Sequence, residues 1–271
     1  METRGMNERI QKLRKQSVET EPRLYIERAD LMTDAYLKYE GSVSVPEMRA
    51  IAFKHFMENK TLCINDGELI VGEKGDGPQK SPTFPELCCH TVEDMQIMND
   101  RDLISFKVTE DDIKLQREKI IPYWENRSIR SRIVRSMNEK WKQCYGAGIF
   151  TEFMEQRGPG HTVGSSKIYE KGFMDYKKDI AAEIEKLDFL HDPEAFSRKE
   201  QLRAMDIACD AIIVLGERYS KLAAEMAEKE KDPVRKAELL QIAENCKVVP
   251  AHKPQTYWQA LQMYWFVHLG V

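Results

Sequence analysis

The segment of the chain richest in chemically useful side chains is FTEFMEQRGPGHT, residues 150–162. Residues 158–160, Gly-Pro-Gly, predict a tight turn with little side-chain bulk, so a ligand could approach the backbone closely. His161 follows directly, and an imidazole can donate or accept a hydrogen bond and change its charge near neutral pH. Phe153 adds an apolar wall.

Charged groups complete this segment, because Glu155 and Arg157 lie between Phe153 and the turn. An apolar wall with a few convergent polar groups is typical of a small-molecule site. The same residues also suit a structural loop in which His161 and Arg157 satisfy buried carbonyl groups. The residues alone leave both interpretations open.

Known catalytic and nucleotide-binding motifs are missing from the sequence. It contains no GxSxG, HExxH or Walker motif. The glycines of residues 72–86 fit neither GxGxxG nor a phosphate-binding loop, and Pro78 and Pro82 stand where a helix would have to follow. Nucleotide binding by this loop is therefore not expected.

Cysteines offer a second place for chemistry. None of the six forms CxxC or lies at a zinc-like spacing from a histidine, so no metal site is expected. Cys88-Cys89-His90 could suit a redox or metal site, but reduced, buried or half-buried thiols are the favoured interpretation. The six are Cys63, Cys88, Cys89, Cys144, Cys209 and Cys246.

Charge and hydropathy set the class of protein. With 41 Lys and Arg against 45 Asp and Glu, the net charge of −4 argues against a nucleic-acid-binding surface. The N-terminal residues show no secretory signal, and no window reaches the roughly 18 apolar residues of a membrane helix. A cytoplasmic protein without membrane or nucleic-acid partners is expected.

The hydropathy pattern predicts a mainly α-helical chain. Short strands are expected only in residues 61–71, on either side of the Asn65-Asp66-Gly67 turn. Residues 144–164 are predicted to be a glycine-rich loop. Helices are predicted at 22–40, from 44 onward, and at 91–99, 109–121, 127–137, 166–187, 197–229 and 233–247.

Capping patterns fix where several of these helices should begin. Ser44 with Glu47, and Ser197 with Glu200, have the spacing of a capping box. Asp232 precedes Pro233 in the way that an N-cap precedes the first turn. The helix that starts at Ser197 carries apolar residues at alternating steps of three and four, which favours burial along one side of a large domain over a coiled coil.

The C-terminal residues 254–271 contain no formally charged side chain, although glutamines interrupt them at Gln255, Gln259 and Gln262. This pattern predicts a buried helix. Trp258 and Trp265 lie on it. We expect a partner or a further part of the polypeptide to cover this surface, because exposed domain ends are usually polar.

Several segments resemble the N-terminal third of the glycyl radical enzymes in the pyruvate formate-lyase-like superfamily, and especially the branch that dehydrates trans-4-hydroxy-L-proline. The resemblance extends over nearly the whole chain. RGPGHT and DGELIVGE are shared broadly among the dehydratases and lyases. The segments are NDGELIVGEKGD (65–76), PTFPELCCHTVEDM (82–95), FTEFMEQRGPGHTV (150–163), YEKGFMDYKKDI (169–180) and VVPAHKPQTYWQALQMYWFVHLG (248–270).

The resemblance implies that residues 1–271 are the N-terminal, helical portion of one domain built on a ten-stranded α/β barrel. The whole enzyme would be a homodimer, sensitive to oxygen and about three times this length. A radical-SAM activating enzyme would install a glycyl radical near its C-terminus. A cysteine thiyl would then abstract a substrate hydrogen, and loss of water would give a pyrroline carboxylate.

Only two residues carry over to the substrate pocket. His161 matches a histidine that contacts the substrate, and Phe153 matches an aromatic wall of the same pocket. The resemblance places no catalytic residue, metal or bound cofactor in this segment, since the radical glycine and thiyl cysteine lie beyond it. The chain alone is therefore expected to be inactive. Alternatives are another glycyl radical lyase acting on a diol, glycerol or choline, a formate acetyltransferase-like enzyme, or a non-catalytic helical protein that binds a partner.

Overall fold

The computed structural model describes residues 7–150 and 163–270. The described chain is mainly helical, as the hydropathy pattern predicts. It divides into two compact units, each built from segments that are distant in sequence. Among the described residues, the first unit takes 7–20, 34–79 and 163–270, and the second takes 21–33 and 80–150.

The regular secondary structure described in the first unit is helical, and several of its helices pack against one long helix, α11. Along α11, the small residues Ala211, Gly216 and Ala223 are buried, and so is Tyr219. Small side chains let other helices approach closely, and α3 and α12 pack along this side. The helices are α1 (Glu8–Glu19), α3 (Val45–Asn59), α9 (Lys167–Glu170), α10 (Phe173–Glu185), α11 (Ala195–Lys229), α12 (Pro233–Val248) and α13 (Tyr257–Gly270).

The second unit combines shorter helices with a small sheet. Strands β1 (Arg23–Tyr25) and β2 (Lys80–Pro82) pair in parallel, with Leu24 opposite Ser81. Helix α2 (Glu27–Tyr39) begins in this unit, and its last turns belong to the first. The remaining helices are α4 (Val92–Asp100), α5 (Glu110–Leu115), α6 (Ile121–Trp124), α7 (Ile129–Ser136) and α8 (Glu139–Gly146), with a π-helical turn at Gln116–Ile120 joining α5 to α6.

Several predicted helix bounds were wrong. The predicted helix 22–40 starts with β1, and a break at Lys171-Gly172 divides the segment 166–187 into α9 and α10. The helix predicted at 109–121 continues through the π-helical turn to Trp124. Helix α8 occupies part of the predicted 144–164 loop. Residue 172 must be glycine, because a Cβ there would overlap the backbone of Ala251 and His252.

Capping was predicted correctly at some helices and wrongly at others. Asp232 caps α12 through a bond from the Val234 amide, as predicted. The Ser44 side chain makes no capping bond on α3, and Glu47 instead pairs with Arg203 at 3.2 Å. Helix α11 begins at Ala195, so Ser197 lies inside it rather than at its cap.

The strands predicted within residues 61–71 are wrong. This stretch is an irregular bend with a turn at Asp66-Gly67. Its backbone groups bond to side chains of distant helices rather than to a partner strand, and the next subsection describes those contacts.

Candidate functional site

The predicted small-molecule site lies outside the described residues. This applies to Phe153, Glu155, Arg157 and His161, together with the Gly-Pro-Gly turn at 158–160. The described residues next to this segment show what holds the chain on either side of it.

On the N-terminal side, the chain enters the segment from an aromatic cluster in the second unit. The ring of Phe150 meets Trp141 edge-on, with the centroids 5.0 Å apart, and its centroid lies 5.9 Å from that of Tyr145. Arg130 donates to the Tyr145 hydroxyl at 2.8 Å. The chain is therefore anchored by ring packing three residues before Phe153.

On the C-terminal side, the chain leaves the segment into an apolar cluster of the first unit. Val163 packs against Ile168, Val249 and Met263, which are all buried. Gly164 follows with a φ of +83°. Val163, two residues after His161, is therefore also anchored.

Several helices of the first unit hold the bend 65–73, which contains the DGELIVGE stretch (66–73). Gln262 on α13 holds its centre: the side-chain oxygen accepts from the Val71 amide at 2.9 Å, and the side-chain nitrogen donates to the Val71 carbonyl at 2.8 Å. Only 1% of Gln262 is exposed. One buried glutamine thus satisfies both backbone groups of one residue, as a neighbouring strand would.

Two tryptophans of α13 extend this contact on both sides. The indole nitrogen of Trp258 donates to the Leu69 carbonyl, and that of Trp265 donates to the Gly72 carbonyl, each at 2.7 Å. Gly72 has a φ of +130°, and a Cβ there would lie 2.5 Å from a methyl carbon of Leu269. Glycine is therefore required where the bend lies against α13.

Other helices hold the two ends of the bend. Arg235 on α12 donates to the carbonyls of Glu68 and Asn65, at 2.7 and 3.2 Å. The Glu73 amide donates to the hydroxyl of the fully buried Tyr219 on α11, at 3.3 Å. Lys60 donates to the Glu73 carbonyl at 2.5 Å. The bend thus joins α11, α12 and α13, and its role in the structure is architectural.

Sequence reasoning did not predict the partners of this bend. The sequence contains one signal of these contacts, namely the glutamines that interrupt the apolar C-terminal helix. Buried glutamines need hydrogen-bond partners. Gln262 is one of these glutamines. Nothing in a single sequence indicates that its partner is Val71.

The cysteine-histidine segment has the character of buried structure. Burial raises the pKa of the Cys89 thiol to about 11, and nearby Glu125 and Asp94 add to the rise. Burial also lowers the pKa of His90, although Asp94 opposes that shift. Gln116 donates to the His90 carbonyl at 2.6 Å. A protonated thiol beside a neutral imidazole is a poor nucleophile or metal ligand.

The other cysteines agree with the predicted reduced, buried or half-buried thiols. All six lie in the described residues and none forms a disulfide; Cys209 and Cys246 are buried, and the other four are intermediate in exposure. Across residues 7–150 and 163–270, no cluster of three or more His, Cys, Asp or Glu side chains could hold a metal ion. Over the same residues, no helix is long and apolar enough to cross a membrane.

Comparison with known proteins places the chain in a family. Residues 6–271 match the pyruvate formate lyase-like family. The chain belongs to that family. The resemblance carried by the quoted segments is therefore confirmed at this level.

Named relatives narrow the comparison. The chain is 58% identical to trans-4-hydroxy-L-proline dehydratase of Clostridioides difficile over 268 residues, which is 99% of this chain and 34% of the relative. A crystal structure of hydroxyproline dehydratase from the same organism, with trans-4-hydroxy-L-proline bound, matches with a TM-score of 0.95 and 58% identity, over 99% of this chain and 34% of that one. A glycyl radical enzyme from Archaeoglobus fulgidus matches with a TM-score of 0.88 and 34% identity, over 97% of this chain and 34% of that one.

The chain spans about a third of the length of these relatives. The described helices thus correspond to part of the fold of glycyl radical enzymes, and the mainly helical character expected of that part is confirmed.

Proposed function

We propose that this chain is the N-terminal portion of a glycyl radical dehydratase that converts trans-4-hydroxy-L-proline to a pyrroline carboxylate. The observation that supports the proposal most is the 58% identity to the Clostridioides difficile dehydratase across 99% of the chain. The fold matches as well as the sequence, since the structure of the substrate-bound enzyme overlays this chain with a TM-score of 0.95.

In this proposal the chain supplies one wall of the substrate pocket and none of the radical chemistry. Phe153 gives an apolar surface for the face of the pyrrolidine ring of the substrate, and His161 gives a hydrogen bond to the hydroxyl group that leaves as water. The aromatic cluster around Phe150 and the apolar cluster around Val163 anchor the chain before and after these residues.

The whole enzyme would be an anaerobic, cytoplasmic homodimer. A radical-SAM activating enzyme would be its protein partner, and a small hydroxylated molecule its substrate. The glycyl radical, held outside this segment, would supply the hydrogen-abstraction chemistry, while this chain would orient the substrate and help to exclude water.

The test is His161→Ala in the complete protein that contains this chain, activated under anaerobic conditions. We expect hydroxyproline turnover to fall by about 10²–10⁴-fold, the contribution that a positioned acid or base typically makes. The glycyl radical signal in electron paramagnetic resonance should keep its intensity, because His161 is assigned to the substrate and not to activation.

A matched control is His191→Ala, which removes an exposed histidine that pairs with Asp188. It should leave turnover unchanged. Normal turnover in His161→Ala would show that His161 does not act on the substrate. Assay of the unmodified enzyme against glycerol, 1,2-propanediol and choline tests the substrate separately: faster turnover of any of these than of hydroxyproline would contradict the dehydratase assignment.

A further inference from the structure

A pair of glutamates lies within the bend 65–73, and one amide group joins them. The side-chain nitrogen of Asn65 donates to Glu68 Oε1 at 2.8 Å and to Glu73 Oε1 at 3.2 Å. The Asn65 backbone amide donates to the second oxygen of Glu68, also at 2.8 Å. Glu68 is thus held at both oxygens, and Glu73 is brought to the same amide group five residues later.

Glu73 is also the residue at which the bend meets the helices. Its amide donates to Tyr219 on α11, and its carbonyl accepts from Lys60 after α3. Two residues earlier, Val71 is held by Gln262 on α13. A change in the charge of the Glu73 side chain therefore acts directly beside the contacts that connect the bend to the helices.

The charged and titratable groups facing Glu73 come from every side of the bend. Glu68 is an acid on the bend itself, Lys60 contributes a cation after α3, and Cys63 and Tyr219 contribute neutral groups. Arg235 on α12 donates to the Glu68 carbonyl, and Asp76 is a further acid near Cys63. Burial raises the pKa of Glu73, and the neighbouring Glu68 raises it further, while Asn65 and Lys60 oppose the rise. Burial and the same two glutamates raise the pKa of the Cys63 thiol to about 12, so this thiol stays uncharged.

We propose that Glu68 and Glu73 make the bend 65–73 a pH-sensitive attachment for α13. The attachment is tight while Glu73 is protonated and loosens when its carboxylate is ionised close to Glu68. The Glu73 carboxyl group can keep its hydrogen bond from Asn65 in either state, but only its protonated form avoids the repulsion from Glu68.

The direction of the pH dependence follows from the linkage between proton binding and folding. A carboxyl group with a folded-state pKa above its unfolded value contributes stability that is fully present below the unfolded pKa. That stability is lost as the pH rises through the folded-state pKa. The attachment should therefore weaken as the pH rises from the region of 4.5, the ordinary value for this side chain.

The experiment is hydrogen exchange of the Val71 amide, which donates to Gln262, in this chain at about pH 5 and about pH 7.5, with protection factors corrected for intrinsic exchange. In the unmodified chain, protection should fall at the higher pH, by up to about tenfold for each unit by which folding raises the Glu73 pKa. In Glu73→Gln the carboxamide oxygen can still accept from Asn65, so protection at the higher pH should rise and the difference between the two pH values should shrink.

Two control variants separate charge from packing. Glu68→Gln removes the neighbouring charge but also one of the two acceptors that hold Asn65, so protection should be lower at about pH 5 and should depend less on pH. Glu185→Gln, an exposed change on α10, should match the unmodified chain. Equal pH dependence in Glu73→Gln and in the unmodified chain would overturn the proposal.

A second measurement does not depend on the folding of a variant. Carbon-13 titration of the glutamate carboxyl groups in the unmodified chain should show one group with a pKa above the ordinary glutamate value. If all glutamates titrate at or below that value, the proposal fails.

Discussion

At the residue scale, Gln262 illustrates how one polar side chain can replace a strand partner. Its amide group matches the donor and acceptor of Val71 in opposite orientation, so both groups of each partner are satisfied. A buried backbone group without a partner costs free energy comparable to a lost hydrogen bond. The identity of residue 262 is therefore set by the backbone of a residue 191 positions away.

Replacement of Gln262 by leucine should destabilise the first unit. Leucine keeps a similar volume but leaves the Val71 amide and carbonyl buried without partners, at about 1–3 kcal/mol for each group. Urea denaturation followed by circular dichroism should show a lower midpoint than for the unmodified chain.

The control for this prediction is Gln201→Leu, because Gln201 is an exposed glutamine on α11. A surface substitution of this kind should change the free energy of unfolding by no more than about 0.5 kcal/mol. If the two variants unfold at the same midpoint, the two hydrogen bonds between Gln262 and Val71 contribute nothing measurable to stability.

At the element scale, local capping chemistry explains some helix starts and packing explains others. Thr91 and Thr109 both make a complete capping box, with Asp94 and Asp112 as the reciprocal partners. Ser44 has the same sequence pattern, but its hydroxyl oxygen is buried without a hydrogen-bond partner. Glu47, the expected reciprocal partner, pairs instead with Arg203 on α11.

Alanine substitutions at these two caps should give opposite results. Thr91→Ala removes the bond to the Asp94 amide and should cost about 0.5–2 kcal/mol of stability. Ser44→Ala removes a buried hydroxyl that has no partner, so it should be neutral or slightly stabilising. Thermal or urea unfolding of the two variants provides the comparison, and an equal loss in both would contradict the observed geometry.

In the long helix α11, too, the sequence pattern predicts one part of the structure and packing decides another. Its predicted apolar side is buried at Cys209, Ile212, Tyr219 and Ala223, which confirms the choice of burial along one side. Met205 belongs to the same sequence pattern but is 48% exposed. The alternating spacing therefore predicted a buried side, whereas the neighbouring helices decide which positions on that side are buried.

At the scale of the whole molecule, the chain has the fold of one part of a larger family architecture. Its two compact units are each assembled from distant segments, and α2 contributes to both. On α13, Tyr257, Leu261 and Tyr264 remain 80%, 40% and 41% exposed, although Met263 and Phe266 are fully buried. The expectation that further protein covers this helix remains a prediction.

Activity provides the test at this scale. Under the proposed function, the purified 271-residue chain should give no hydroxyproline turnover when mixed with a radical-SAM activating enzyme, because the proposed radical glycine and thiyl cysteine lie outside it. The measurement is pyrroline carboxylate formation under anaerobic conditions, with the complete enzyme as the positive control. Turnover by the chain alone would show that the chemistry resides within these residues.

The sequence by itself determined the features that depend on near neighbours. It predicted the mainly helical character, helices that start near Thr91 and Thr109, the cap at Asp232 and the buried side of α11, since each follows from contacts within a few residues or from helical periodicity. The family was also identifiable, because motifs such as DGELIVGE and RGPGHT are continuous in the chain.

Only the tertiary structure decided the bend 65–73. Its apolar residues have the local pattern of strands, but its hydrogen bonds run to Gln262, Trp258 and Trp265, nearly 200 positions away. A backbone group bonds to whichever partner the fold brings near, and single-sequence patterns contain no information about that partner. The shared amide of Asn65 is likewise visible only once the fold brings Glu68 and Glu73 to it.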